Sequence, residues 1–143
     1  MPDILHRLPV RAPLPRVFDV IATPDGLAQW WALGATGTPE AGATYQLDFG
    51  PGYRWTADVA AVDAPHWIEW EMIGADDDWT GTRVGARLSE HDGRTIVDFY
   101  HAGWRHANEH YRTTSCCWAQ YLRILRRFIE HGERVAYDMR LDV

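Results

Sequence analysis

The stretch HAGWRHANEH, residues 101–110, holds three of the chain's seven histidines, and His106 and His110 stand four residues apart. On one helical face that spacing could hold a zinc ion, with Glu109 or His101 as a third ligand. Asn108, however, suits the N-cap of the periodic run that follows, and a helix starting there leaves His106 outside it. The stretch then reads as the end of a strand, a loop carrying Trp104 and a helix cap, which is a pocket rim and not a metal site. His101 falls in an inward-facing strand set. It could contact a ligand, act with Tyr45 or Tyr111 as general acid and base in a cyclisation or dehydration, or be a core histidine bonded to the first strand or to Tyr111. Ser115 has no G-x-S-x-G elbow, so a nucleophilic triad is discarded. Asp76, Asp77 and Asp78 lack EF-hand spacing and read as a solvated hairpin loop. No catalytic residue is assigned.

These side chains need a scaffold, and the hydrophobic pattern supplies one. Residues 3–10, DILHRLPV, alternate as a strand. After the break at RAPLP, Val17, Phe18 and Ile21 share a helical face; Thr23 reads as the N-cap and Pro24 as the first position of a second short helix, PDGLAQWW. From there to about residue 101, turn signals at GPG, DAP, GADDD and EHDG separate a run of strands. Their inward sets are Tyr45, Leu47 and Phe49; Trp55, Ala57 and Val59; Ile68, Trp70 and Met72; Val84, Ala86 and Leu88; and Val97, Phe99 and His101. The other face meets water. Tyr111, Ser115, Trp118, Leu122, Leu125 and Ile129 then recur at spacings of four and three, an amphipathic helix from about Asn108 to His131, about 36 Å long, with Gly132 after its end. Residues 133–143 form a short tail. The expected fold class is α+β: a curved antiparallel sheet of about six strands wrapped around a long C-terminal helix, with two short helices after the first strand.

The 143 residues fit one domain spanning 1–143, able to fold without disulfide or metal. All fourteen basic residues are arginine, so a lysine Schiff base and a P-loop lysine are excluded. A net charge of −6 without a long basic run argues against nucleic acid or an anionic membrane as partner. Arg123, Arg126 and Arg127 read as a solvated helix end. Adjacent Cys116 and Cys117 cannot bridge within a helix and are expected to be reduced thiols. The start, MPDILHRLPVRAPLP, has no apolar run of signal-peptide length and no segment approaches a membrane span, so the expected location is cytoplasmic.

Eight Trp, six Tyr and four Phe are too many large rings for a small core to tile without voids. Tyr45, Trp55, Trp70, His101, Tyr111 and Trp118 aim into the space between sheet and helix, with Trp31, Trp79 and Trp104 at its mouth. These nine residues are the candidate ligand-binding set; the alternative is that the rings simply are the core.

APLPRVFDVIATPDGLAQWW, DWTGTRV, and FYHAGW followed by WAQYLRILRRFIEHG resemble the helix-grip superfamily of START and Bet v 1-like proteins, also called SRPBCC. Within it the chain is most similar to the activator homologues of the 90-kDa heat-shock protein ATPase. The resemblance implies a deep hydrophobic cavity between the sheet and the long helix. The preferred reading is binding of a small lipid-like or aromatic molecule in that cavity as carrier or sensor, with no cofactor or metal. A cyclase, aromatase or hydrolase-like enzyme using the same pocket is the alternative, and a chaperone-associated module the next. The separate N-terminal domain with which full co-chaperones engage the chaperone has no counterpart in these residues. Exposed strand edges permit a homodimer.

Overall fold

The structure is a computed structural model that describes residues 1–142. The order is β1 (Ile4–Val10), α1 (Leu14–Ala22), α2 (Pro24–Trp30), β2 (Gly34–Thr36), β3 (Thr44–Asp48), β4 (Arg54–Asp63), β5 (Trp67–Gly74), β6 (Arg83–His91), β7 (Arg94–Ala102) and α3 (Glu109–His131), followed by a 3-10 turn at Tyr137–Met139. The strands form one antiparallel sheet in the order β1-β7-β6-β5-β4-β3-β2.

The sheet has seven strands where the sequence pattern suggested about six. The added one, β2, pairs Gly34, Ala35 and Thr36 with Asp48, Leu47 and Gln46. Three residues that start on a glycine carry no alternation to read; pairing with the edge of β3 makes them a strand. Two register shifts between β4 and β5 mark where the sheet bends, with Ile73 the extra residue on β5 and Ala60 the extra residue on β4, because an extra residue on one strand curves it and increases its twist.

The helix ends follow local chemistry. Thr23 Oγ1 accepts from Gly26 N at 3.1 Å, and Pro24 occupies the first turn, where its missing N–H costs nothing. Gly26 is required by closeness: a Cβ there would stand 2.2 Å from Val20 O, so only glycine lets α2 fold back against α1. Asn108 Oδ1 accepts from Tyr111 N at 2.9 Å, which starts α3 at Glu109 and leaves His106 outside it and exposed. Gly132, with φ 66°, closes the other end.

The concave face of the sheet carries the expected alternation. Tyr45, Leu47, Ala57, Val59, Ile68, Trp70, Met72, Val97, Phe99 and His101 are buried against α3 and the two short helices. From α3, Trp118, Leu122, Ile124 and Leu125 fill this core; burying side chains of that size contributes about 1.5–3 kcal/mol each. The outer face is more structured than a plain wet surface. With no Cβ at Gly85, the Tyr100 ring lies across it; Tyr100 Oη donates to Glu69 Oε1 at 2.7 Å, and Arg83 pairs with Glu69 at 3.0 Å. Glu69 is thereby covered although it points away from the core.

Candidate functional site

A cleft of about 340 Å³ opens between the concave sheet face and α3. Trp31, at the end of α2, forms one side; Phe49, Tyr53 and Trp55 of the β3–β4 hairpin form the next. Trp79 comes from the β5–β6 loop, Tyr137 from the tail, and His110, Thr113, Thr114, Cys117, Trp118 and Tyr121 from α3. The rings brace one another before any ligand arrives. Ring centroids lie 4.9 Å apart for Trp31 and Trp118, 5.7 Å for the stacked pair Trp79 and Trp118, and 5.0 Å for Trp55 and Trp79 and for Phe49 and Trp55. Rings fixed by packing have little rotamer freedom left to lose on binding.

His101 is fully buried behind this wall. Trp118 Nε1–H donates to His101 Nδ1 at 3.1 Å, so Nδ1 is an acceptor and the ring proton must sit on Nε2. Nε2–H therefore donates to Thr82 Oγ1 at 2.8 Å, and the Thr82 hydroxyl donates on to Trp79 O. One relay thus holds both Trp118 and the backbone of Trp79. Burial pushes the imidazole pKa from 6.5 down to about 3, with a smaller contribution from His110, so the ring is neutral at physiological pH.

Neither tyrosine expected to pair with His101 does so. Tyr45 Oη donates to Ala22 O at 2.7 Å and Tyr111 Oη to Asp3 O at 2.8 Å, and both ring nitrogens of His101 are engaged elsewhere. The bonds expected from His101 to the first strand or to Tyr111 are likewise replaced by Thr82 and Trp118.

The acidic loop is tied down instead of solvated along its length. Asp76 Oδ1 accepts from Trp79 N at 2.8 Å, and Asp78 Oδ2 receives His110 Nδ1–H at 2.8 Å. Arg105 donates to the carbonyls of Asp77 and Thr80. At the opposite end, Arg140 is buried and donates to Ala28 O, Ala32 O and Val135 O at 2.6, 3.0 and 3.2 Å, setting a cation on the last carbonyls of α2. That latch places Tyr137, whose hydroxyl donates to Phe49 O at 3.1 Å, on the cleft wall.

The sequence matches the family model for Activator of Hsp90 ATPase homolog 1-like proteins over residues 11–130. The chain belongs to this family. Among solved structures, this AHSA1-like chain is similar to the Aha1 dimer of Colwellia psychrerythraea: 25% identity, TM-score 0.84, covering 93% of this chain and 99% of that one. A protein of Staphylococcus saprophyticus shares 18% identity at TM-score 0.80, covering 94% and 96% of the two chains. CalU16 of Micromonospora echinospora shares 19% at 0.75, covering 98% and 82%. Both share the helix-grip fold of this chain. No curated protein matches the sequence.

Of the nine candidate residues, the AHSA1-like cleft brings together Trp31, Trp55, Trp79 and Trp118. Tyr45, Trp70, His101, Trp104 and Tyr111 do not line it. Trp70 meets Tyr45 edge-on within the core at 5.6 Å. Trp104 is buried and packs edge-on against Trp79, His110 and Tyr111, so it plugs the end of the site and does not span the mouth. Sequence reasoning missed Phe49, which it had placed only as core, and Tyr53, His110, Thr113, Thr114, Cys117, Tyr121 and Tyr137. A signal existed for most of the α3 members. Residues 110, 114, 117 and 121 repeat the spacing of the apolar stripe one position earlier, which turns them about 100° around the helix. Tyr137 lies in an aperiodic tail and had none. Among the described residues no group of three His, Cys, Asp or Glu side chains converges to hold a metal ion.

Proposed function

We propose that this protein binds a small hydrophobic molecule, aromatic or lipid-like, between the sheet and α3, acting as one domain and as a carrier or sensor. The observation that carries the reading is the cleft itself. About 340 Å³ is bounded by indole and phenyl rings fixed by mutual packing, within the ~300–1,000 Å³ range of small-molecule sites. An aromatic ligand would gain about 0.5–1.5 kcal/mol per ring pair beyond the area it buries. Trp31, Trp55, Trp79 and Trp118 are the proposed contacts. His101 acts behind them by fixing Trp118 and Trp79. The carrier or sensor reading is preferred to an enzyme because His101, Tyr45 and Tyr111, the groups that acid–base chemistry would have used, are committed to structural hydrogen bonds.

The test is native mass spectrometry of protein purified from its own cells, compared with its denatured mass, together with titration by neutral naphthalene derivatives followed through tryptophan fluorescence. A co-purified organic mass, or saturable quenching weakened in Trp55→Ala, supports the reading; no organic mass and no saturable quenching sinks it.

Family membership favours a second reading, stimulation of a heat-shock protein ATPase. It is tested by the chaperone's rate of ATP hydrolysis with and without this protein. The Colwellia psychrerythraea relative is a dimer, and the same state is proposed here, to be measured by sedimentation. No helix among the described residues is long and apolar enough to cross a membrane, and we place the protein in the cytoplasm.

A further inference from the structure

We propose that the molecule bound in this cleft carries a hydroxyl on its aromatic frame, and that His110, oriented by Asp78, is the group that receives its proton in a hydrogen bond. The inference rests on the ligand-binding reading and adds the chemical class of the ligand.

His110 lines the cleft, and its ring is fixed from several sides. Nδ1 stands 2.8 Å from Asp78 Oδ2, and because an ionised carboxylate only accepts, Nδ1 carries the proton. Asn108 Nδ2 reaches the other oxygen of the same carboxylate at 3.5 Å. The His110 hydrogen bond holds the Asp78 carboxyl below its usual range, so it stays an acceptor. The edge of Trp104 meets the imidazole at 5.6 Å and 89°. In the neutral ring this arrangement leaves Nε2 as a lone-pair acceptor whose orientation is set before a ligand arrives.

The neighbour of Nε2 points the same way. Asp76 Oδ2 stands 3.7 Å from Nε2, beyond hydrogen-bond distance, while Asp76 Oδ1 is held by Trp79 N. A donor placed between Nε2 and Asp76 Oδ2 would meet two acceptors, which suits a ligand that donates. As a stabilising ion pair, His110 and Asp78 contribute little, since both side chains are more than a third exposed. Their effect is orientation.

Charge sets the other limit. Asp76, Asp77 and Asp78 crowd this end of the site, and no arginine lines the cleft. A carboxylate or sulfonate on the ligand meets this negative charge, and the cation beside the loop, Arg105, is bonded to the carbonyls of Asp77 and Thr80 and does not line the cleft; a neutral phenolic hydroxyl carries no such charge.

The experiment compares 2-naphthol, 2-methoxynaphthalene, naphthalene and 2-naphthoate on the full chain at pH 8. Binding is read by tryptophan fluorescence and calorimetry, in wild type, His110→Phe and Asp78→Asn, each checked for folding by circular dichroism. In wild type, 2-naphthol binds roughly 3- to 10-fold more tightly than its methyl ether, the range for one net hydrogen bond, and 2-naphthoate binds least. His110→Phe brings naphthol and ether to parity without weakening the ether. Asp78→Asn, which removes the group fixing the tautomer, narrows the gap. Parity in wild type, a preference that survives His110→Phe, or tightest binding of the naphthoate would overturn the proposal while leaving the cleft reading intact. Failure of all four probes to bind overturns the cleft reading, and this one with it.

Discussion

Replacing His101 by glutamine should change how stability depends on pH. In the unfolded chain the imidazole returns to its ordinary pKa of 6.5, whereas in the folded protein burial holds it near about 3. Above pH 6.5 both states keep the ring neutral, and its buried bonds to Trp118 and Thr82 contribute in full. As pH falls below 6.5 the unfolded state takes up a proton that the folded state refuses, so stability is lost progressively until about pH 3. At up to 1.36 kcal/mol per pH step, the loss from this one group between pH 6.5 and 4.5 is about 2 kcal/mol. Glutamine does not titrate and reproduces only part of the relay. His101→Gln should be about 2 kcal/mol less stable than wild type at pH 7, the penalty of one unmatched buried bond, and should match or exceed wild type at pH 4.5. Urea unfolding midpoints and slopes of both proteins at the two pH values measure this. Carboxylates such as Asp78 titrate in both proteins and cancel in the difference. A gap of the same size at pH 7 and 4.5 would refute the assignment of a neutral, proton-refusing imidazole to the core.

Gly26→Ala normally strengthens a helix by about 1 kcal/mol, but here the new Cβ would meet Val20 O at 2.2 Å; a net loss of about 1–3 kcal/mol in chemical denaturation is expected, and a stabilised variant would refute the close approach of α1 and α2. Arg140→Met strips the buried donors from Ala28 O and Ala32 O; stability should fall by about 2–4 kcal/mol and the tail bearing Tyr137 should become sensitive to limited proteolysis, which unchanged digestion would contradict. Timed alkylation read by mass spectrometry should modify exposed Cys116 well before Cys117, whose thiol pKa is raised by burial; equal rates would contradict the placement of Cys117 in the cleft wall.

The architecture was legible because burial imposes periodicity. Alternation placed Tyr45, Leu47, Val97 and Phe99 on the concave face, and the four-and-three spacing placed Trp118, Leu122 and Leu125 on the inner face of α3. Capping chemistry located the start of α2 at Thr23 and that of α3 at Asn108, since these side chains act on N–H groups only three residues away. Strand β2 escaped because three residues are too few to show a period.

The candidate site was legible only by half. Periodicity reports which face a side chain occupies, not whether it ends in the core or at a void, so Tyr45, Trp70 and His101 were indistinguishable in sequence from Trp55 and Trp118. What the sequence determined by itself is local: the strands with a readable period, the helix caps, the inward faces, and an excess of rings needing a place. What only the tertiary structure decided is non-local. It set the bulges between β4 and β5 beside the hairpin that carries Phe49 and Trp55. Across more than thirty residues it brought Asp78 to His110, and across more than a hundred it brought Arg140 to Ala28 and Ala32. Those meetings depend on how whole elements pack against one another, and no spacing within any one element encodes them.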